Sequence, residues 1–343
     1  MRAKSVTLKD LARELGLSKS TVSRALRGHP KVKVETKIAV KALAEAWGYE
    51  PDLVARSLVQ RQSFTIGVVI PRIEFPYFAM ALGGAQEVAS KAGYNLVICQ
   101  SNESYEIERS VIRTLVSSKV DGLLISITGQ TTAYDHMEDI HKHRLPIVLF
   151  DRILEGDVFP MVSMDNVRGA LIATEHLLTQ GYRRIAHIAG PPDLFVSRQR
   201  IQGYRQALQN WDIPFREEYL VSSGFRMNNG EEAMKKLLDL DQPPDAVLAV
   251  SDNAALGAKK VIEAEGFTIP DQIGLIGFNG EPLSKVVRPS LTTVSLPMAE
   301  MGRVSVKLLL KHIVYPAEPR PHEMIILPPQ LLVRESSLKP EQV

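Results

Sequence analysis

Five side chains near the start of this 343-residue sequence could do chemistry as a set: Lys19, Ser20, Thr21, Ser23 and Arg24. Short hydroxyls flanked by two cations are what a helix presents when it slots into the major groove of DNA and reads base edges. The same set also suits the solvated face of a helical hairpin in a larger helical domain, so these residues alone leave both readings open. Catalytic constellations are missing. The sequence contains no GxSxG, no GxxxxGK[ST], no GxGxxG after a strand and no HExxH. His141 and His143 are spaced i, i+2 on an expected helix, point to different faces and make poor metal ligands. No cofactor is implied, and the chain is not read as an enzyme.

Those five residues need a helix under them, and residues 7–26 (TLKDLARELGLSKSTVSRAL) supply two. Thr7 with Asp10 three residues on resembles a capping box, so a helix can start at Leu8. Leu8, Leu11, Ala12 and Leu15 recur at i, i+3, i+4 and i+7 and give it one apolar face. Gly16 ends it, Leu17 plugs the turn and Ser18 can cap a second helix from Lys19. Val22, Ala25 and Leu26 share the inner face of that second helix, which leaves the five polar residues outside. Gly28 and His29-Pro30 then break the chain. A third helix is expected over residues 34–47, with Ile38, Ala42, Leu43, Ala46 and Trp47 inward and Gly48 closing it. After Tyr49-Glu50-Pro51, residues 52–60 (DLVARSLVQ) can form a short helix capped by Asp52. A helix that short needs packing to persist, so it is expected to order only when something holds it.

Charge is distributed unevenly. Residues 1–61 hold 13 Lys/Arg against 6 Asp/Glu, and the remainder holds 28 against 33. A basic head on a mildly acidic body fits a nucleic-acid-binding protein. With 45% hydrophobic and 23% charged residues the body reads as ordinary globular protein, and the length suggests two or three domains. The single cysteine, Cys99, excludes an intrachain disulfide and a Cys-cluster zinc site, and it is expected to be a buried strand thiol. No run approaches the roughly 18 unbroken apolar residues of a membrane helix, and the N-terminus lacks the apolar stretch of a signal peptide. A cytoplasmic location is therefore expected.

From residue 65 onward apolar strands alternate with helices. Strands are expected at 65–71, 95–100, 122–126, 146–150, 184–189, 219–221, 246–250 and 273–278. Helices are expected at 77–92, 105–118, 134–143, 166–180, 197–210, 230–240 and 254–265. Continuous Val/Ile/Leu strands between helices indicate parallel sheets covered on both faces. Two such series suggest an α/β body of two doubly wound parallel-sheet lobes. Ligands bind such sheets beyond the carboxyl ends of the strands, which here could face each other across a cleft. The chain closes with a strand at 292–296, a helix at 298–314, a Pro-rich turn at 316–321, strands at 323–327 and 330–334, and a frayed tail from Ser336.

Nine segments taken together, TLKDLARELGLSKSTVSRAL, GYEPDLVARSL, TIGVVIP, KVDGLLI, HLLTQGYRRIAHIAGP, RIQGYRQAL, SDNAALGA, IGLIGFNGEP and PSLTTV, resemble the lactose-repressor (LacI) family of bacterial transcription regulators. The similarity runs from Thr7 to about Glu335, in the family's order and spacing. It implies an all-α helix-turn-helix headpiece at 1–50, a hinge helix and linker at 51–63, and a core like the periplasmic binding proteins at 64–343. The core would divide into an N-lobe (about 64–163 and 296–322) and a C-lobe (about 164–295 and 323–338). Members act as homodimers or dimers of dimers on near-palindromic operator DNA, and the absence of leucine heptads after Arg334 favours a dimer. By position, Lys19, Ser20 and Arg24 would read bases, with Thr21, Ser23 and Arg27 close by, while Thr7, Lys31 and Thr36 would contact phosphate. Lys19 and Ser20 fall where members differ in base preference, and a lysine there could favour guanine O6/N7. In the hinge, Ala55 and Leu58 match the small residue and the leucine of the family motif; that leucine wedges into the minor groove. Two residues depart from the pattern. Asp52 stands where many members have Asn and adds negative charge near phosphates, and Lys33 replaces the usual Ser at the start of the third helix.

The resemblance also implies an effector cleft lined by Tyr77, Phe78, Asp151, Arg200, Phe225, Asp252 and Asn279. Such a set suits a sugar or polyol: aromatic faces cover C–H surface while a guanidinium and carboxylates pair with adjacent hydroxyls. One of the Tyr77 and Phe78 rings should face the cleft while the other is core. Asp252 could instead be the N-cap of the helix beginning at Ala254, and Arg200 a surface cation. The function implied is repression of a carbohydrate-utilisation operon under control of a small-molecule effector, a sugar. A nucleobase or a phosphoprotein co-effector is the alternative inside the family. A solute-binding transport protein is the alternative outside it, disfavoured by the basic head.

Overall fold

A computed structural model describes residues 6–26, 28–49, 62–142, 145–154, 156, 158–314 and 323–339. Arg27, the expected hinge with Asp52, Ala55 and Leu58, His143 and the Pro-rich turn lie outside the described residues. The chain forms two compact units, residues 1–63 and 64–343.

The first unit contains α1 (Leu8–Glu14), α2 (Lys19–Leu26) and α3 (Val34–Ala46). The capping box forms at the start of α1. Asp10 N–H donates to Thr7 Oγ1 at 3.4 Å, and Thr7 N–H donates to Asp10 Oδ2 at 3.0 Å. Leu11 and Ala12 pack with Val22 and Ala25 of α2 and with Val40 and Ala44 of α3. The inner face of α3 is not the expected one. Ile38 is 63% exposed, Ala42, Ala46 and Trp47 are exposed as well, and only Leu43 of the expected set is half-buried. Apolar residues occur on several faces of this helix, so periodicity does not choose among them; packing on α2 selects the stripe through Val40 and Ala44. Lys33 precedes α3 without a side-chain capping hydrogen bond, as a lysine must.

The second unit holds two six-stranded sheets. The first is formed by β1 (Thr65–Ile70), β2 (Asn95–Gln100), β3 (Gly122–Ile125), β4 (Ile147–Phe150), β5 (Met161–Met164) and β11 (Met324–Leu327), in the order β11-β5-β4-β3-β1-β2. The second is formed by β6 (Ile185–Ala189), β7 (Leu220–Ser222), β8 (Ala246–Ala249), β9 (Gly274–Asn279), β10 (Thr292–Ser295) and β12 (Gln330–Leu332), in the order β12-β10-β9-β8-β6-β7. Every pairing is parallel except β10 with β12. Both orders are doubly wound, with switch points between β1 and β3 and between β6 and β8, where such folds open a crevice at the carboxyl strand ends.

Helices α4 (Pro76–Lys91), α5 (Tyr105–Ser117), α6 (Asp135–Lys142) and α11 (Met298–Val314) belong to the first lobe; α7 (Asn166–Thr179), α8 (Phe195–Asn210), α9 (Met227–Leu238) and α10 (Asp252–Ala264) belong to the second. Backbones touch where α4 crosses α11. A Cβ on Gly84 would fall 1.9 Å from the Ala299 carbonyl oxygen, and one on Gly302 equally close to that of Ala81. The pair α9 and α10 repeats the device through Gly230 and Gly257.

Four expectations change. Strand β5 is absent from the sequence reading because MVSM is only four residues long and interrupted by Ser163, yet it is buried inside the first sheet. The resemblance puts residues 323–327 in the C-lobe, whereas β11 pairs with β5 and so belongs to the N-lobe. β2 is an edge strand with Val97 and Ile98 each 43% exposed, so Cys99 is only half-buried. The tail from Ser336 is not frayed at its start: Ser336 Oγ donates to Leu275 O at 2.6 Å and Ser337 Oγ pairs with His176 Nε2 at 2.8 Å. No described helix is long and apolar enough to cross a membrane.

Candidate functional site

The first candidate surface lies on the headpiece. Ser18 Oγ accepts the Thr21 N–H at 3.1 Å and fixes the start of α2. Lys19, Ser20 and Arg24 are exposed on it, with Thr21 and Ser23 half-buried beside them. Lys31 is exposed and Thr36 half-buried in the first turn of α3. Thr7 is exposed, but its hydroxyl donates to Asp10 Oδ2 at 2.6 Å, so it serves the cap first.

The second candidate site is built by strand ends of both lobes. Asp151 and Arg152 follow β4, Glu103 follows β2, and Tyr77 opens α4 after β1. From the second lobe come Arg200 on α8, Phe225 after β7 and Asn279 at the end of β9. Asp151 and Asn279 hold φ of +61° and +114°, left-handed backbone that non-glycine residues adopt at a cost and that clusters at functional sites.

Arg200 is 4% exposed and firmly held. Its Nε donates to Asn166 Oδ1 at 3.0 Å, its Nη1 donates to Val250 O at 2.6 Å, and its guanidinium lies 3.8 Å from the centroid of Phe278. Burial lowers its pKa to about 10, opposed by the nearby negative charge of Asp151. Asp151 is itself pushed up to about 6 by burial, against the pull of Arg152 and Arg200. The two groups, from opposite lobes, are thus both buried and near enough to influence each other's charge.

Arg152 was not anticipated. It is 2% exposed, its Nη1 donates to both oxygens of Glu103 at 2.8 and 2.9 Å, and its cation lies 5.0 Å from the centroid of Phe225. Burial disfavours its charge, but Tyr77, Glu103 and Asp151 together hold its pKa above that of an ordinary arginine. Burial also raises the Tyr77 phenol, which the cation of Arg152 partly offsets. Two buried atoms at this place, Arg152 Nη2 and Ser197 Oγ, have no hydrogen-bond partner among the described residues. Buried polar atoms are normally paired, so these two, at a strand-end crevice, are left available to a polar ligand. Gly190 makes the approach of Ser197 and Phe225 feasible, because a Cβ there would lie 2.4 Å from Ser197 Oγ and 3.1 Å from the Phe225 ring. Arg152 had one readable signal: a charged pair, Asp-Arg, directly after the apolar strand Ile-Val-Leu-Phe.

Two expected site residues stand elsewhere. Phe78 is 0% exposed and packs edge-on against Phe150 at 6.4 Å, so it is core while Tyr77 faces the charged cluster. Asp252 is neither a cap nor free. Ser251 caps α10, its Oγ accepting the Ala254 N–H at 3.1 Å. Asp252 accepts from Glu281 N–H at 2.6 Å and Thr293 Oγ1 at 2.5 Å, and burial pushes its pKa up to about 7. It holds the turn after Asn279 in place. Among the described residues no three His, Cys, Asp or Glu side chains gather to hold a metal.

Comparison with known proteins agrees with this architecture. Residues 7–52 match the bacterial regulatory proteins of the lacI family, and residues 174–337 match a periplasmic binding protein-like domain. Catabolite control protein A of Priestia megaterium is 33% identical over 90% of this chain and 92% of its own. The ribose operon repressor of Halalkalibacterium halodurans is 34% identical over 96% and 97%. Among solved structures, a complex of the transcriptional regulator CelR with cellobiose matches with a TM-score of 0.74 and 29% identity, covering 96% of this chain and 99% of that one. The lac repressor dimer bound to operator and an anti-inducer shares the fold with a TM-score of 0.88 at 24% identity, over 98% of this chain and 100% of that one. Capped helix pair, twin doubly wound lobes and these relatives together place the chain in the LacI family of bacterial regulatory proteins.

Proposed function

We propose that this chain is a sequence-specific DNA-binding repressor, working as a cytoplasmic homodimer, whose operator affinity is set by a small neutral sugar held between the lobes. The observation that carries the reading is the convergence of Asp151 and Arg152 from one lobe with Arg200 and Phe225 from the other. Two cations face two carboxylates, Asp151 and Glu103, so charges offset and a neutral ligand with paired hydroxyls suits them better than an anion. Relatives named for ribose and solved with cellobiose support the sugar class.

Lys19, Ser20 and Arg24 are the residues proposed to read bases, with Thr21, Ser23 and Arg27 beside them and Thr7, Lys31 and Thr36 on phosphate. Ala55 and Leu58 are proposed for the hinge. Tyr77, Asp151, Arg152, Arg200, Phe225 and Asn279 are proposed to touch the sugar. Exposed apolar side chains support a second copy: Val97, Ile98 and Ile107 on the first lobe, Leu283 and Val286 on the second. A thermal-shift screen against mono- and disaccharides, sugar phosphates and nucleobases tests the ligand class. Stabilisation by a neutral sugar alone supports it; stabilisation only by a phosphate ester or a nucleobase overturns it.

A further inference from the structure

Behind the cleft, in the first lobe, lies a buried polar cluster that the proposed site does not use. Glu108 on the first turn of α5 is 0% exposed. Its Oε2 accepts the Thr128 N–H at 2.7 Å, its Oε1 accepts the Thr131 hydroxyl at 2.8 Å, and His136 Nε2 on α6 meets the same Oε1 at 2.9 Å. The His136 side chain is 2% exposed and stands edge-on to Tyr105 at 5.0 Å. Burying a carboxylate is expensive unless it is well bonded, and Glu108 has three partners that fix it in place, whereas His136 Nδ1 on the far side of the ring has none among the described residues.

What the cluster fixes is the loop of residues 128–131, and that loop reaches the cleft. Gly129 N–H donates to Glu103 Oε2 at 3.0 Å, the oxygen that also accepts from Arg152 Nη1 at 2.9 Å. Gln130 Oε1 accepts the Tyr105 N–H at 3.0 Å, tying the same loop back to α5. Glu103 sits at φ +60° next to Asn102 at +52°, left-handed backbone that persists where the surroundings hold it. The loop also faces the second lobe, since a Cβ on Gly129 would lie 4.0 Å from the Leu194 side chain. A continuous set of hydrogen bonds therefore runs from His136 through Glu108, the loop and Glu103 to Arg152.

We propose that Glu108 and His136 are positioning residues for the sugar site: they clamp the 128–131 loop so that Glu103 presents Arg152 at one fixed place in the cleft. The inference rests on the reading of Arg152 as a sugar contact. It gives a functional reason for a buried acid, a histidine and two threonines that bond to one another outside the proposed site.

The test uses the full chain, with D-ribose and cellobiose as calorimetric probes. Thr131→Val removes one bond of the clamp without unbalancing a buried charge, and Thr131→Ser retains it. Whichever sugar the native chain binds should bind about three- to tenfold more weakly to Thr131→Val and near normally to Thr131→Ser. In an Arg152→Ala background the same Thr131→Val substitution should change affinity less than about twofold, because coupled residues do not add. Equal losses in both backgrounds overturn the positioning role while leaving Arg152 as a contact. An Arg152→Ala chain that binds sugar normally overturns the site reading and this inference with it. If neither sugar binds, hydrogen exchange at the Gly129 amide decides: faster exchange in Thr131→Val supports the clamp, and unchanged exchange overturns it.

Discussion

The guanidinium of Arg152 in the first lobe lies 5.0 Å from the ring centroid of Phe225 in the second. A cation against an aromatic face is worth more where water is excluded, and Arg152 is 2% exposed. Nearby, Arg226 Nη2 pairs with Glu74 Oε1 at 3.1 Å, but both side chains are about half exposed and such pairs contribute little. The buried contact is therefore worth more between the lobes than the exposed salt bridge.

Replacing Arg152 with Ala should lower sugar affinity by about 10–100-fold, the range expected for losing charged hydrogen bonds in a buried site. Calorimetry measures it, and DNA binding without sugar serves as the control for folding.

Asp151 should show a trade between stability and response. Its folded pKa of about 6 lies above the ordinary 3.8, so ionisation weakens the folded state, from nothing below pH 3.8 to the full amount above about pH 6. Asp151→Asn should therefore stabilise the sugar-free chain by about 1–3 kcal/mol near pH 7.5, with no gain near pH 3.5. The same variant should lose the sugar response, since the carboxylate proposed to accept from the sugar's hydroxyls is gone. Thermal unfolding across pH checks both signs.

Headpiece lysines should separate into two kinds. Lys19→Ala should change which half-site sequence is preferred, while Lys31→Ala should weaken binding to all sequences alike and reduce the salt slope by about 0.9. Binding to randomised duplexes at several salt concentrations distinguishes them.

Gly302→Ala should cost about 1–3 kcal/mol of stability, because its Cβ has no room beside the Ala81 carbonyl at 1.9 Å. Half-site preference should not change, since the headpiece does not depend on that crossing for its own core.

Much of this was legible in the residues. The capping box at Thr7 and Asp10 and the alternating strands and helices follow from local patterns; Asp151 and Arg200 come as candidates from the resemblance alone, and the structure buries both. The misses share a cause: local pattern does not report which neighbour an element meets. The α3 stripe through Val40 and Ala44 is chosen by α2, and β11 joins the first sheet because β5 offers it an edge. Phe78 and Tyr77 look equivalent side by side, and only the helix's position against Phe150 decides which ring is core. Arg152 became visible once Glu103, distant in sequence, was found holding it.

The cleft and the DNA-reading surface are proposed to act as one switch. The decisive experiment measures, for a duplex selected by this chain, affinity with and without the stabilising sugar, and sugar affinity with and without the duplex. Coupling predicts that both change by one common factor, in the range of about 5–150. Affinities unchanged in both directions, with sugar and DNA each bound, would contradict it.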